Sequence, residues 1–410
     1  MNRDIFSWNP VYNKVMEVKD LYTSTFNKSI NNFKESLQEL DDEQMNTVFQ
    51  DLEFTQKDHL LLVRYGVAGF QRGAWTENNG FLLESRSVVI DLLNEELVLT
   101  PFSKFFNINE REETSENIIK EKIKHAKLFE VTNKLDGSMQ SARYYKGQYI
   151  MSGSRALDPV QSYRLQNGYN YLTDGHKQML KENPDLTFIF ENISPDDKHV
   201  VEYEEKDFGL HLIGARNIHN GNHLTHQQFS LIAKPYGVKC VELISSSLEE
   251  LITLMSTSNG LEIEGWVLNI DGQFVKIKTD SYVMLHSAVE DSLSPNMIIR
   301  SIYNNTYDDF ISKVPPAYRP SVENVASFVF DYIDIVKSSI SYWLPKGAKL
   351  DKKDFMLWNK QNVPRHIQPF LTKAYLKQDL RILNKRGEGL KKINEIKFFL
   401  DAHESQKSLN

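Results

Sequence analysis

A chain of 410 residues is long enough for two or three domains and a large core, and 40% hydrophobic with 25% charged residues is the balance of an ordinary globular protein. The single cysteine, Cys240, excludes a disulfide framework and fits a reducing compartment. No apolar run approaches the roughly 20 residues that span a bilayer, and the N-terminal MNRDIFSWNP has no apolar secretory core, so a cytoplasmic protein with no membrane partner is expected.

Residues 1–50 read as mostly helical, with FNKSINNFKESLQELDD placing apolar positions at helical spacing on a polar background. From about residue 54 the pattern changes to short strands: HLLLVRYGV, FLLESRSVVIDLL and ELVLTPFSKFF. A charged, helix-like segment runs from Glu110 to Lys127. LFEVTNK, MQSARYY and QYIMSGS then read as strands, the last two joined by a Lys-Gly turn. LTFIFENI, GLHLIGARNI, LEIEGWVLNI and QFVKIKT continue the series, and DGQ marks a hairpin between the final pair. QQFSLIAKPYG and SLEELITLMSTS are helices between strands. After about residue 290 the strand signals stop. DFISKV, SVENVASFVFDYIDIVKSSISYWL, PFLTKAYLKQDLRILNKR and GLKKINEIKFFLDAHE read as helices. No internal repeat or low-complexity tract is visible. The expected layout is an α+β body over 1–290, carrying a helical N-terminal extension, and an all-helical C-terminal domain over 291–410.

The net charge of −7 is unevenly spread. From Lys346 to Lys397 there are 14 Lys/Arg against 5 Asp/Glu, a local balance of +9. Such a segment fits a polyanion partner or a solvated helical surface equally well.

The stretch VTNKLDGSMQ, residues 131–140, interrupts two strands with an amine, a carboxylate and a glycine. An isolated Lys-x-Asp-Gly is an ordinary surface turn. The chemical alternative is a nucleophilic lysine, which must lose its proton from an ordinary pKa near 10.4. Nearby cations or a metal would do this by disfavouring the ammonium. A glycine at 137 would let a phosphate approach the backbone. The residues downstream make the chemical reading the stronger one. Glu191 ends the apolar strand LTFIFENI, Glu264 stands beside Gly265 in LEIEGWVLNI, and QFVKIKTD carries Lys276 and Lys278. Residues two apart share a face of a strand, so Val275 and Ile277 can face a core while Lys276 and Lys278 point together into a cleft. Two ammoniums on one face call for anions, and a triphosphate is the obvious one.

In that order, KLDGS, FIFENI, IEGWV and VKIKT resemble the first, third, fourth and fifth motifs of the covalent nucleotidyltransferases, the ATP-dependent ligases and mRNA capping enzymes. LLESRSVVID followed by LTPFSKFFNINE, and the segment KTDSYVMLH, resemble more specifically the bacteriophage RNA ligase 1 family of tRNA-repair ligases. The likeness covers about residues 60–290. It departs from the family at Arg86-Ser87, where an Arg-Gly pair is usual, and in an N-terminal extension longer than the family requires.

The resemblance implies a nucleotidyltransferase (ATP-grasp-like ligase) body of antiparallel sheets flanked by helices. It implies that Lys134 is the nucleophile that takes AMP from ATP and that Gly137 lies at the nucleotide. Glu191 would contact the sugar or orient the site. Glu264 would place a metal or the lysine. Lys276 and Lys278 would hold the phosphates, with Arg86 and Lys104 as further phosphate contacts. Arg155 would touch ribose or phosphate, and Tyr65 would line the nucleotide pocket. Mg²⁺, with Mn²⁺ as a substitute, would be held by Glu264 and by Asp308 from the helical domain; Asp308 reads equally as part of an acidic pair at a helix start. The partner implied is RNA, a broken tRNA or another single-stranded or stem-loop RNA. Whether a separate end-healing kinase or phosphatase works with it stays open. Trp358, Phe370, Tyr375, Phe398 and Phe399 interleave with the basic C-terminal stretch, most of them expected in helix core and the others available for stacking on bases. A GTP-dependent capping enzyme, a nick-sealing ligase and a catalytically degenerate RNA-binding protein are the alternatives.

Overall fold

Two hairpins show how directly the sequence sets the backbone. Lys146-Gly147 and Asp271-Gly272 both place two successive residues at positive φ, 46° and 85° in the first and 47° and 90° in the second. That is the two-residue turn whose twist matches flanking antiparallel strands. The computed structural model describes residues 3–66, 69, 70, 73, 75, 80–197, 199–292, 294–304, 306–314, 318–378, 396, 397 and 400. It divides into two compact units, Met1–Val283 and Met284–Asn410.

The first unit contains three sheets. One has the order β1 (Leu52–Lys57), β2 (Leu60–Tyr65), β3 (Arg86–Asp91) and β4 (Glu96–Leu99), all antiparallel. The second consists of β10 (Gly209–Asn217), β9 (Leu186–Ile193), β7 (Ser138–Tyr145) and β8 (Gln148–Gly153), also antiparallel. The third runs β11 (Leu243–Ile244), β6 (Phe129–Lys134), β12 (Gly265–Ile270), β13 (Gln273–Lys278) and β5 (Phe106–Asn107), with β5 alone parallel to its neighbour.

Alternation along the strands decides what packs where. Leu61 and Val63 of β2 turn to a core shared with Val11 and Val15 of the N-terminal helix Pro10–Phe26. Leu62 turns the other way, into a cluster with Tyr145 and Leu157 that joins the first sheet to the second. In the third sheet Val131, Trp266, Leu268, Val275 and Ile277 form one buried face. The opposite face of that sheet lines the site.

The sequence reading needs several corrections here. FNKSINN is not continuous helix: Asn27 adopts the left-handed conformation that ends Pro10–Phe26, and Asn32 caps the next helix, Phe33–Leu40, by accepting from the Glu35 N–H. LEFTQK forms a strand, β1, ahead of HLLLVRYGV, the first strand expected from the sequence. FLLE is a helical turn, Phe81–Glu84, and its strand starts only at Arg86. LEI lies outside the strand that begins at Gly265. KTDSYVMLH opens a helix, Asp280–Ser292, within which the division between the two units falls.

The second unit is helical among the described residues, with Pro295–Tyr303, Tyr307–Lys313, Arg319–Gly347, Lys352–Asn362 and Gln368–Tyr375. Val329, Val336, Ile340, Phe355 and Leu371 form its main core. Trp358, Phe370 and Tyr375 pack against that core, and Tyr375 stacks on Phe355 at 3.7 Å. Phe398, Phe399 and most of the last expected helix lie outside the described residues. No helix among the described residues is long and apolar enough to cross a membrane.

The Arg86-Ser87 pair explains itself in the backbone. Ser87 has φ 66°, the left-handed region that glycine enters without cost, beside an irregularity in the pairing of β2 with β3. Its hydroxyl donates to the Ser154 carbonyl at 2.8 Å. The left-handed conformation costs roughly 1–2 kcal/mol for a side chain with a Cβ, and the hydrogen bond returns about 1 kcal/mol. Ser87→Gly is therefore expected within about 1 kcal/mol of the native stability, whereas Ser87→Ala, which keeps the strained φ and loses the bond, should lie below it by about 1 kcal/mol. Urea unfolding of the two variants measures the order, and an alanine variant as stable as the glycine one would contradict it.

Candidate active site

Lys134 is the last residue of β6, and the turn after it carries the chain from the third sheet into β7 of the second. The register builds the surroundings of that lysine. Gly265 of β12 pairs with Lys134 on one side and with Lys278 of β13 on the other. Glu264, one residue earlier, therefore lies between two ammoniums. Lys134 Nζ donates to Glu264 Oε2 at 2.6 Å, and Lys278 Nζ lies 2.9 Å from Oε1. A Cβ at Gly265, whose φ is +149°, would stand 1.9 Å from the Ile277 carbonyl oxygen, so only glycine permits this close strand approach.

A cavity of about 310 Å³ opens between the third and second sheets. One face of the third sheet supplies Glu130, Thr132 and Lys134 from β6, Val267 and Asn269 from β12, and Phe274, Lys276 and Lys278 from β13. The second sheet and its flanks supply Met139, Glu191, Ile213, Gly214, Leu224 and Phe229. Arg86, Phe102 and Phe105 form a further wall. The cavity thus has cationic groups and an apolar, aromatic lining, which is the pairing a nucleotide needs for its phosphates and its base.

The charges in it are unevenly matched. Burial and then the cations Lys104, Arg86, Lys134 and Lys278 push the Lys276 ammonium down to about 7. Lys276 has no carboxylate partner among the described residues; its ammonium lies 5.3 Å from the centre of the Phe105 ring. Arg86, half-buried and with its pKa lowered mainly by desolvation, donates to the Ser103 carbonyl at 3.2 Å and lies over the same ring at 5.2 Å. Burial also pushes the Glu191 carboxyl up to about 7, against the pull of Lys134.

Lys134 departs from the sequence expectation. Burial works to lower its pKa, but Glu264, Glu191 and Asp136 outweigh it and hold the value raised. The cations that were expected to discharge the nucleophile act on Lys276 instead.

Gly137 lines the cavity, and the protein side also constrains it. A Cβ there would meet the Asn192 carbonyl oxygen at 2.5 Å, so the glycine is demanded by the neighbouring strand β9. Its N–H donates to Glu191 Oε1 at 3.1 Å. Asp136 is also fully engaged by protein: its carboxylate accepts from the N–H groups of Val200 and Val201 at 2.9 and 3.0 Å and from the Tyr282 hydroxyl at 2.9 Å.

Other residues singled out in the sequence fall elsewhere. Lys104 sits beside the cavity, not in its lining, with its ammonium 5.2 Å from the Phe106 ring and 5.3 Å from that of Phe70. Tyr65 packs edge-on against Trp75 at 5.2 Å in the core of the first sheet. Arg155 is exposed and outside the lining, its carbonyl accepting from the Thr55 hydroxyl. Asp308 is exposed near the start of Tyr307–Lys313 in the second unit. No group of three or more His, Cys, Asp or Glu among the described residues is arranged to hold a metal. Of the carboxylates at the site, Glu130 is held by the His226 N–H and Asn269, which leaves Glu191 and Glu264 as hard oxygen donors and fits an ion such as Mg²⁺ that takes one or two carboxylates and otherwise phosphate and water.

The sequence reading passed over Glu130, Thr132, Asn269 and Phe274. The two-residue period could have found them, since Glu130 and Thr132 share a face with Lys134 and Phe274 shares one with Lys276 and Lys278. Glu130 accepts from the His226 N–H and from Asn269 Nδ2, tying a helix start to the sheet floor.

Residues 84–283 match the sequence model of the RNA ligase family. A protein of Thermovibrio ammonificans described as a candidate RNA ligase is 28% identical over 242 residues, covering 56% of this chain and 60% of that one. A candidate bifunctional polynucleotide kinase/RNA ligase of Autographa californica nuclear polyhedrosis virus is 26% identical over 282 residues, covering 64% of this chain and 38% of the viral protein. This chain therefore spans less than two thirds of the length of either relative. Among solved structures, Naegleria gruberi RNA ligase with PPi aligns at 18% identity and a TM-score of 0.36, over 45% of this chain and 57% of its own.

The Lys276 charge carries a stability cost whose sign is set by its pKa. A folded value near 7 against an ordinary 10.5 means that the protonated amine disfavours folding. That penalty is complete below about pH 7 and fades as pH rises toward 10.5. Lys276→Met should therefore melt higher than the native chain at pH 6, with the gain shrinking at pH 9; these two values bracket the folded pKa of about 7. A gain equal at both pH values would show that Lys276 is not the source.

Proposed function

We propose that this chain, whose residues 84–283 match the sequence model of the RNA ligase family, is an ATP-dependent RNA ligase that joins 5′-phosphate and 3′-hydroxyl ends. The observation that carries the reading is the placement of Lys134 against Glu264 at the floor of a cavity whose remaining cations, Lys276 above all, lack an anion. A nucleoside triphosphate supplies that anion at its phosphates and an apolar base for the lining of Phe102, Phe105, Phe274 and Leu224.

In the first step the Lys134 amine, its proton released, attacks the α-phosphorus of ATP. A P–N bond forms, the P–O bond to pyrophosphate breaks, and AMP stays on the lysine. In the second step an RNA 5′-phosphate oxygen attacks the same phosphorus, the P–N bond breaks, and the amine recovers a proton. In the third step a 3′-hydroxyl attacks the RNA 5′-phosphorus and AMP leaves. The chain contributes position and charge: Glu264 fixes the amine, Lys278 shares Glu264 with it, and Lys276 and Arg86 face developing phosphate charge. A divalent cation, when bound, supplies the positive charge that offsets Glu264 and the phosphates together. The helices that follow β13 favour a ligase over a capping enzyme, which would need a strand-rich domain there.

The proposed substrate is a broken tRNA-like or other stem-loop RNA, acted on in the cytoplasm. Ends of the required chemistry come from a kinase or phosphatase that heals them, and the viral relative is described as carrying a polynucleotide kinase with its ligase. The second unit is the proposed RNA contact. Lys349, Lys352, Lys353 and Lys360 are exposed there and unpaired among the described residues.

Lys134→Ala should form no covalent adduct with ATP labelled in its α-phosphate, judged on denatured protein, while the native chain is labelled. Labelling of the variant at the native rate would move the nucleophile elsewhere. Changing Lys352, Lys353 and Lys360 together to Glu should leave that labelling intact and weaken RNA binding. The slope of log affinity against log salt should fall by up to about 2, roughly 0.7 per lost single-strand phosphate contact. An unchanged slope would remove this surface from the RNA path.

A further inference from the structure

One buried cation outside the cavity ties together three segments that flank the cavity's wall. Arg216, on β10, is 5% exposed. Its guanidinium forks onto Glu84, with Nη1 to Oε2 at 2.8 Å and Nη2 to Oε1 at 3.0 Å. Nη1 also donates to the Pro101 carbonyl at 3.0 Å and the Thr100 hydroxyl at 3.2 Å, and Nε donates to the Gly221 carbonyl at 2.7 Å. The face of the guanidinium lies 4.7 Å from the Trp8 ring centre. Trp8 is fixed in turn by its indole N–H, which donates to the Ile218 carbonyl at 3.0 Å. Gly221 leaves room for that ring, since a Cβ there would come within 2.5 Å of it.

Each anchor lies one or two residues from a group that lines the cavity or packs on its lining. Glu84 precedes Arg86, Pro101 precedes Phe102, and Gly221 precedes His223. His223 stacks on Phe102 at 5.1 Å and meets Phe274 edge-on at 4.9 Å. Gly214 makes room for the tip of the Phe102 ring, since a Cβ there would come within 2.4 Å of it. Burial, and then Arg216, lower the His223 pKa well below its ordinary value, so the ring stacks as a neutral imidazole.

We infer that Arg216 is a positioning residue for the nucleotide cavity, and that Trp8 of the N-terminal extension completes the clamp through which it acts. The inference rests on reading that cavity as the ATP site. A forked ion pair with two added carbonyl bonds fixes three chain segments relative to one another, and a lysine cannot reproduce that geometry. Trp8 excludes water from one face of the guanidinium and adds cation–π attraction, which is strongest when desolvated. The N-terminal extension thereby becomes part of nucleotide binding.

The test separates binding from stability. ATP affinity is measured by calorimetry in the Lys134→Ala background, where no transfer follows, and the ATP dependence of adduct formation is measured in the otherwise native chain. Trp8→Ala should weaken ATP binding and raise the KM for adduct formation by about tenfold, as expected for a misplaced binding wall, with kcat within about threefold. Trp8→Phe, which keeps a ring face, should stay within about twofold. Arg216→Lys should lose at least as much as Trp8→Ala. Val15→Ala, in the same N-terminal core but outside the clamp, should lower the melting temperature without changing ATP affinity. Unchanged affinity in Trp8→Ala, or an equal loss in Val15→Ala, would overturn the inference. A native chain that binds ATP yet forms no adduct would overturn the ligase reading and leave the clamp to be judged on affinity alone.

Discussion

Glu264 is the constraint on which the site depends. It is 2% exposed and lies between two lysines that the sheet register delivers to either side of it. Burying a carboxylate alone would be prohibitive, and burial does push its pKa upward; Lys134 and Lys278 more than reverse this and hold it lowered. The arrangement is stable only as a set. Removing the glutamate would leave two ammoniums in a closed cleft, and removing either lysine would leave half a charge pair. The strand order β6-β12-β13 makes this possible, because it places Gly265 against Lys134 and Lys278 at once.

The same architecture leaves Lys276 unbalanced. It shares its strand face with Lys278 but stands two residues further from Glu264, and Lys104 and Arg86 add to the positive field around it. A chain that only had to fold would gain by replacing it. An unbalanced buried cation beside a cavity is the mark of a missing anion, and the cavity has the apolar surface to hold what the anion is attached to. The proposed nucleophile is in the opposite condition. Carboxylates surround Lys134 and keep its proton on. Its reactivity therefore has to be released by whatever neutralises Glu264 and Glu191, which couples the first chemical step to arrival of the bound charges.

Much of the site was legible because it obeys the two-residue period. Lys276 and Lys278 alternating with Val275 and Ile277, and Glu264 beside a glycine, could be placed on a cleft face without coordinates. Glu130, Thr132 and Phe274 obeyed the same rule and were missed only because no motif drew attention to them. What could not be read was the cause behind particular residues. Gly137 and Gly265 answer to carbonyl oxygens of strands distant in sequence, and Ser87 sits in a conformation that its residue type does not announce. The roles of Tyr65 and Arg155 came from the family resemblance, yet Tyr65 packs half-buried against Trp75 and Arg155 is exposed, because a resemblance in chain order does not by itself fix where a side chain goes. The helical turn at FLLE was hidden by apolar composition, which cannot distinguish a short strand from a buried turn of helix.

The two concentrations of positive charge differ in kind. Lys276 and Arg86 are largely withdrawn from water, so each interacts strongly over a few ångströms and only with a group brought to a defined place. Lys349, Lys352, Lys353 and Lys360 are exposed, screened by salt, and indifferent to the exact position of a phosphate. A buried cation can discriminate between ligands because it has given up hydration that only a well-placed anion restores. An exposed lysine has given up nothing, and it gains chiefly through the counterions that a polyanion releases. The proposed reaction, which positions one phosphorus atom while holding a long, variable RNA, needs both kinds, and they cannot share one surface. The α+β unit supplies the closed strand face on which cations can be desolvated, and the helical unit supplies the open surface on which they stay wet.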